Sequence, residues 1–221
     1  MIEDNAQSLG ATWQGPDNYL AFGGNSGHLG TTSFFPSKML GGMGDGGAVF
    51  TGDAALAGRI KQLARHGQQE KYRFDRIGIN SRLDGLQAAV LEVKLRYLDQ
   101  HISARQAIAG WYHQVLMEVP QVALPRTAAG NTHVYNQYTI RVVSKEREAL
   151  QRYLLGQGIP TAVYYPMPLH MQPAYRYLGC QSGDFPVAEL LCGQVLSLPI
   201  HPLLSYEEVC WIGEKIRQFF Q

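Results

Sequence analysis

An α/β unit, a long connecting helix and a smaller α+β unit are what the 221-residue sequence predicts, and three patterns carry the prediction. Across residues 1–82, short apolar runs alternate with glycine-rich loops, the rhythm of strands and helices packed in layers. From Leu83 onward apolar residues recur at helical spacing, and no proline intervenes until Pro120. Across residues 119–221, strand-like and helix-like segments follow one another at short intervals, punctuated by glycine.

The elements follow in order. Ile2-Glu3-Asp4 reads as the buried exit of a strand, and Ser33-Phe34-Phe35 as the end of another. Gly47 to Thr51 reads as a short buried strand, and Asp53 to Ala64 as a helix, because Thr51 or Asp53 offers a side-chain oxygen to its unpaired first N–H groups. Leu86, Val90, Val93 or Lys94, Tyr97 and Ile102 then share one helical stripe, which predicts a single helix over 83–118, about 50 Å long at 1.5 Å per residue. A helix of that length connects two bodies. Beyond it the pattern predicts a strand at 138–143, a helix at 145–155 closed by Gly156 and Gly158, and a strand at 161–165. A helix around 187–192, a strand at 195–198 and a last helix at 206–219 complete the chain. Residues 121–132 are the one loose segment, and no internal repeat is present.

Composition narrows the function. With 45% hydrophobic and 17% charged residues, the chain can bury a sizeable core. Nineteen Lys plus Arg against eighteen Asp plus Glu gives a net charge of +1, without the basic field that nucleic-acid or anionic-membrane binding needs. A small-molecule site fits better. Three cysteines, Cys180, Cys192 and Cys210, form no C-x-x-C pair, which argues for buried reduced thiols over a disulfide framework or a structural zinc. The N-terminus has acids where a signal peptide has bases, and no apolar run reaches the ~20 residues of a membrane span. The expected location is the cytosol.

The segment TTSFFPSKMLGGMGDGGAVF (31–50) sets one lysine, Lys38, between an apolar shoulder and five glycines. Phe34, Phe35, Pro36, Met39 and Leu40 supply a wall that favours the uncharged amine able to attack a carbonyl. The glycines let backbone approach a ligand closely, and Thr31, Thr32, Ser33 and Ser37 offer hydroxyls to phosphate oxygens. An imine-forming lysine beside a phosphate site points to pyridoxal 5′-phosphate, which also requires an acid at its pyridine nitrogen. Asp4 is a candidate for that acid, with Gln7 placed to reach the ring hydroxyl, although Asp at a strand end is often a helix cap.

IEDNAQSLGA (2–11), SFFPSK (33–38), GDGGAVFT (44–51), ARHGQ (64–68) and NSRLDGLQAAVL (80–91) resemble consecutive signatures of the DegT/DnrJ/EryC1/StrS sugar aminotransferases, a fold-type I family that uses pyridoxal phosphate. The match runs in order from residue 2 to about residue 105, and more loosely to the end. The resemblance implies part of an aspartate-aminotransferase-like large domain over 1–82, the connecting helix over 83–118, and a small α+β domain over 119–221. It implies that Lys38 carries the cofactor, Asp4 pairs with its pyridine nitrogen, Gln7 contacts its ring and Ser33 binds its phosphate. Asn80 would reach the phosphate of a neighbouring subunit, which implies a homodimer with shared sites. The wording is most similar to members that aminate the 3-keto group of a UDP-linked N-acetylated uronate, with glutamate as donor, in surface-polysaccharide synthesis. A branch of dehydratases has histidine in place of the lysine, and Lys38 argues against it.

Members of that family carry a large block ahead of the segment matching IEDNAQ, so the resemblance implies that this chain is a C-terminal portion. The alternative function on that ground is a non-catalytic, folded dimerising domain. At Tyr164, in TAVYYPMPLH, close relatives commonly have histidine, which implies an altered substrate contact. Arg82 either grips a substrate carboxylate or phosphate or caps the long helix through Asp84 or Asp75. His66 fits either a partner contact or a helix end. His170, two residues after Pro168, and His201, just before Pro202, read as structural or solvent-facing, and Tyr165 as either core strand or site lining.

Overall fold

A computed structural model describes residues 1–15 and 19–221. It divides into two compact units, Met1–Ser103 with Thr127–Asn136, and Ala104–Arg126 with Gln137–Gln221. The division falls within a helix, between Ser103 and Ala104.

The first unit contains β1 (Ile2–Asp4), β2 (Thr12–Gln14), β3 (Leu20–Phe22), β4 (Leu29–Ser33), β5 (Gly47–Phe50), α1 (Ala54–Leu63), β6 (Gln68–Glu70), β7 (Arg73–Phe74), α2 (Gly85–Leu95) and the start of α3 (Leu98–Leu116). The main sheet has the order β1-β4-β5, with β1 parallel and β5 antiparallel to β4. The register sets Asp4 opposite Thr31 and Ser33 opposite Gly47. Neither β1 nor β5 is the buried strand expected: Ile2 and Asp4 are exposed, and so are Gly47, Val49 and Phe50, leaving only Ala48 of β5 half-buried. Asp53, rather than Thr51, caps α1: its Oδ1 accepts the N–H groups of Ala55 and Leu56 at 2.7 and 3.1 Å. Met39, Ile102 and Val134 form a buried apolar cluster, joined by Leu9, Ala11 and Leu98. The segment expected to be loose ties back here, because Thr12 and Thr132 exchange backbone and side-chain hydrogen bonds of 2.8–2.9 Å.

The helix expected over 83–118 is two helices. At the junction Arg96 N–H reaches Val93 O and Tyr97 N–H reaches Lys94 O, so the ladder tightens from four-residue to three-residue steps and breaks before α3. Neither proline nor glycine marks the junction, so the apolar stripe runs across it unbroken in sequence.

The second unit adds β8 (Val122–Ala123), β9 (Tyr138–Val142), α4 (Arg147–Gly156), α5 (Pro186–Gln194), β10 (Val195–Leu198) and α6 (Tyr206–Phe220) to the rest of α3. Its antiparallel sheet has the order β10-β9-β8. Tyr138, Ile140 and Val142 alternate inward along β9, and Leu150, Leu154, Leu196, Val209 and Ile216 are buried with them. Tyr112 of α3 stacks on Tyr138 at 4.8 Å and donates its O–H to Pro199 O at 2.8 Å. Burial pushes the Tyr112 phenol well above its ordinary pKa, so it remains a donor. The strand expected at 161–165 is a single bridge, Ala162 to Ser197. Pro160, Pro166 and Pro168 crowd the stretch and cannot donate to a ladder, and Tyr164 and Tyr165 are exposed.

Candidate functional site

In the parallel pair β1 and β4, both strands end at the same edge, and open parallel sheets place ligands at that carboxyl end. Asp4 is the last residue of β1 and Ser33 the last of β4. Lys38 follows in a turn closed by its own N–H to Phe35 O at 2.9 Å. It is half-buried, and among the described residues it enters no ion pair. The apolar wall expected around it is one-sided: Met39 and Leu40 are buried, whereas Phe35 is 49% exposed. Met39 packs in the cluster that holds Leu9 and Ala11, which brings the lysine turn beside the segment leaving Gln7.

The polar groups at this edge have capacity to spare. Asp4 Oδ1 accepts Ala6 N–H at 2.9 Å and leaves Oδ2 as an acceptor. Ser33 Oγ accepts Phe35 N–H at 3.2 Å and keeps its own hydrogen as a donor. Gln7 is exposed. Behind them Asn5 is fully buried, its Oδ1 accepting Ser8 O–H at 2.6 Å, and its Nδ2 has no partner among the described residues. A carboxylate and a hydroxyl at the ends of β1 and β4, with a primary amide and an amine in the turns that follow them, are the groups that the pyridine nitrogen, phosphate, ring hydroxyl and aldehyde of pyridoxal phosphate call for, so this donor set fits that cofactor.

Other residues singled out by sequence stand elsewhere. Asn80 bridges Arg65, and its Oδ1 accepts Arg82 Nε–H at 3.0 Å. Arg82 therefore takes neither expected capping partner, and Asp75 pairs with Arg73 at 3.3 Å. Tyr164 belongs to the second unit, exposed and edge-on to Tyr165 at 5.7 Å. His66 lies past α1 with φ of 62° and donates its N–H to Ile79 O at 2.9 Å. Cys180, Cys192 and Cys210 are unbridged and half-buried, not fully buried as expected. No His, Cys, Asp and Glu cluster able to hold a metal occurs among the described residues, and no helix among them is long and apolar enough to cross a membrane.

Sequence reading missed two features. One is the contact of Gln87 and Lys94 with the glycine loop after Lys38; the only advance signal was that Gln87 lies inside NSRLDGLQAAVL. The other is an apolar cavity of about 740 Å³ in the second unit, lined by Tyr165, Met167, Leu169, Tyr175, Phe185 and Cys192 among others. His170, another lining residue, is structural, with Nε2 at 2.9 Å from Glu189 Oε1. The Gly183 N–H, then the His170, Ser182 and Phe185 hydrogen bonds, hold the Glu189 carboxyl below its ordinary pKa. A lowered folded-state pKa stabilises the fold above the unfolded value of about 4.3 and loses that contribution as pH falls below it. Glu189→Gln should thus lower the urea midpoint at pH 7, and the gap to the parent should close between about pH 5 and pH 3; a pH-independent gap would contradict this.

The sequence profile of the DegT/DnrJ/EryC1/StrS aminotransferase family matches residues 1–217. The chain is 45% identical over 207 residues to the erythromycin biosynthesis sensory transduction protein EryC1 of Saccharopolyspora erythraea, covering 94% of this chain and 55% of that protein. It is 45% identical over 205 residues to the UDP-2-acetamido-2-deoxy-3-oxo-D-glucuronate aminotransferase of Pseudomonas aeruginosa, covering 93% and 54%. Among solved structures it is similar to a DegT DnrJ EryC1 StrS aminotransferase from Brucella abortus, with a TM-score of 0.89, 42% identity, and 99% of this chain on 56% of that one. It is similar also to S. venezuelae DesV in complex with a ketimine intermediate, with a TM-score of 0.91, 38% identity, and 99% on 57%. The chain spans about half the length of the curated relatives it matches.

Proposed function

Because the chain belongs to the DegT/DnrJ/EryC1/StrS aminotransferase family, we propose that it serves a pyridoxal-phosphate-dependent transfer of an amino group from glutamate to a nucleotide-linked keto-sugar. The observation that carries this reading is that Asp4 and Ser33 end the parallel pair β1 and β4 at the same edge, with Lys38 in the turn that follows β4. The Pseudomonas aeruginosa relative, by its name an aminotransferase for a UDP-linked 3-oxo sugar, supports a 3-keto substrate; a role in surface-polysaccharide synthesis is part of the same proposal. A cytosolic homodimer in which Asn80 serves the partner's site completes the proposal.

Pyridoxal phosphate, when bound, supplies a carbonyl for the amine and a ring that withdraws electrons from the substrate carbon. Each side chain then has a defined task. The Ser33 hydroxyl donates to phosphate and fixes the cofactor's orientation. Asp4 Oδ2, with Oδ1 held by Ala6 N–H, keeps a proton on the pyridine nitrogen through a charge-assisted hydrogen bond. Gln7 steadies the ring hydroxyl. Lys38 Nζ would hold the cofactor at its carbonyl carbon and, as a free amine, would carry the proton to and from substrate carbon. Arg82 and Tyr164 are assigned to the sugar substrate.

The test uses the chain with pyridoxal phosphate, ¹⁵N-glutamate and a UDP-linked 3-keto-N-acetyl sugar, followed by mass spectrometry of the sugar. Appearance of the ¹⁵N-amino sugar together with 2-oxoglutarate is expected. Absence of both, with no change in the cofactor spectrum on adding glutamate, would return the chain to the non-catalytic reading.

A further inference from the structure

We propose that Gln87 and Lys94, on one face of α2, are positioning residues that hold the loop bearing Lys38 in register with the edge of β1 and β4. The inference rests on the reading of Lys38 as the cofactor-binding amine. The loop itself, residues 34–46, is closed at its base by two hydrogen bonds. Phe34 N–H donates to Gly46 O at 2.8 Å, and Gly42 N–H donates to Phe34 O at 2.7 Å. It folds tightly at Gly41, where a Cβ would stand 2.3 Å from Pro36 O. Nothing in that closure alone fixes the loop against the rest of the unit.

Met39 anchors one side of the loop in the buried cluster, and helix α2 ties down the glycine side. Gln87, Leu91 and Lys94 are spaced four and three residues apart and so share one face, with Leu91 buried between the two polar residues. Gln87 Oε1 accepts Met43 N–H at 2.8 Å, and Lys94 Nζ donates to Gly41 O. The glycines leave room for the Gln87 amide: a Cβ at Gly42 would lie 2.7 Å from Oε1, and one at Gly44 would lie 2.7 Å from Nε2. Met43 is 81% exposed, so water would satisfy its N–H as readily. The bond to Gln87 therefore does not rescue a buried donor. It contributes order, which matters five residues from an amine that must meet a carbonyl within a few tenths of an ångström.

The test compares Gln87→Ala, Gln87→Glu and Gly42→Ala with the parent chain, by hydrogen exchange over residues 36–46 and by the rate of borohydride-fixed pyridoxal-phosphate labelling at Lys38. Gln87→Ala removes the acceptor, and Gly42→Ala displaces the amide without touching Gln87. Both should raise loop exchange about tenfold, the effect of losing one ordering hydrogen bond, and both should slow labelling several-fold. Gln87→Glu keeps an acceptor oxygen and should restore both readouts. A role confined to helix packing would instead raise exchange along α2, lower the melting temperature and show no rescue by Glu, and that pattern overturns the proposal. So does parent-like loop exchange in Gln87→Ala. If the parent itself never labels Lys38, the proposed function fails, while the exchange contrast still decides whether Gln87 holds the loop.

Discussion

Lys38→Ala should abolish borohydride-fixed attachment of pyridoxal phosphate to the chain. Of Asp4, Ser33 and Lys38, the amine is the group that can bond an aldehyde, whereas a carboxylate and a hydroxyl can hold the cofactor without capturing it. Alanine leaves the turn intact, because the hydrogen bond closing it runs from the backbone N–H of residue 38 to Phe35 O. Lys38 makes no ion pair among the described residues, so its removal strands no charge. Fixed label should drop from near one per chain to background, roughly a hundredfold or more, with the melting temperature held. Mass spectrometry of the reduced, digested parent should place the adduct on Lys38. Finding it on Lys61 of α1 or on Lys94 of α2, with Lys38→Ala still labelled, would remove the assignment.

The features legible in the sequence are those whose cause is local. Asp53 caps α1 through N–H groups two and three residues away. β5, β9 and β10 follow compact apolar runs. α6 begins at Ser205 and Glu208, whose side chains cap each other's backbone N–H groups, a pattern readable from four residues. Illegible features depend on partners far along the chain. Residues 161–165 have the composition of a strand, yet only Ala162 finds a partner, in Ser197. The antiparallel pair of β2 and β3 has strands of three residues each, too short to show a period. The break between α2 and α3 lies under an unbroken apolar stripe.

The candidate site divides along the same line. Lys38, Ser33 and Asp4 stand out because their residue types sit in recognisable company, but that Asp4 and Ser33 close the same edge follows from the parallel register of β1 on β4, which pairs residues 27 apart in sequence (31 − 4). The contact of Gln87 with Met43, 44 residues apart, leaves no mark that composition or spacing detects.

Asp4→Asn should retain the fold and bind pyridoxal phosphate about ten- to a hundredfold more weakly, the scale of one charge-assisted hydrogen bond reduced to a neutral one. Asparagine has an Oδ1 in the same place, so the bond from Ala6 N–H that shapes the exit of β1 survives. Asp4 is exposed and closes no buried ion pair among the described residues, so the substitution leaves no orphaned charge behind. The change falls on the proton at the pyridine nitrogen. On the proposed reading the Asp4 carboxylate would keep that proton in place, whereas an amide would offer only a neutral acceptor or a donor that opposes the ring N–H. Proton removal by Lys38 should therefore slow by more than the binding loss, on the order of a hundredfold or beyond. Stopped-flow measurement at saturating cofactor separates the two effects, because weaker binding disappears there and slower proton transfer does not. If Asp4→Asn transfers the amine from glutamate at the parent's rate under those conditions, the acid at the ring nitrogen is another residue and Asp4 only shapes the end of its strand.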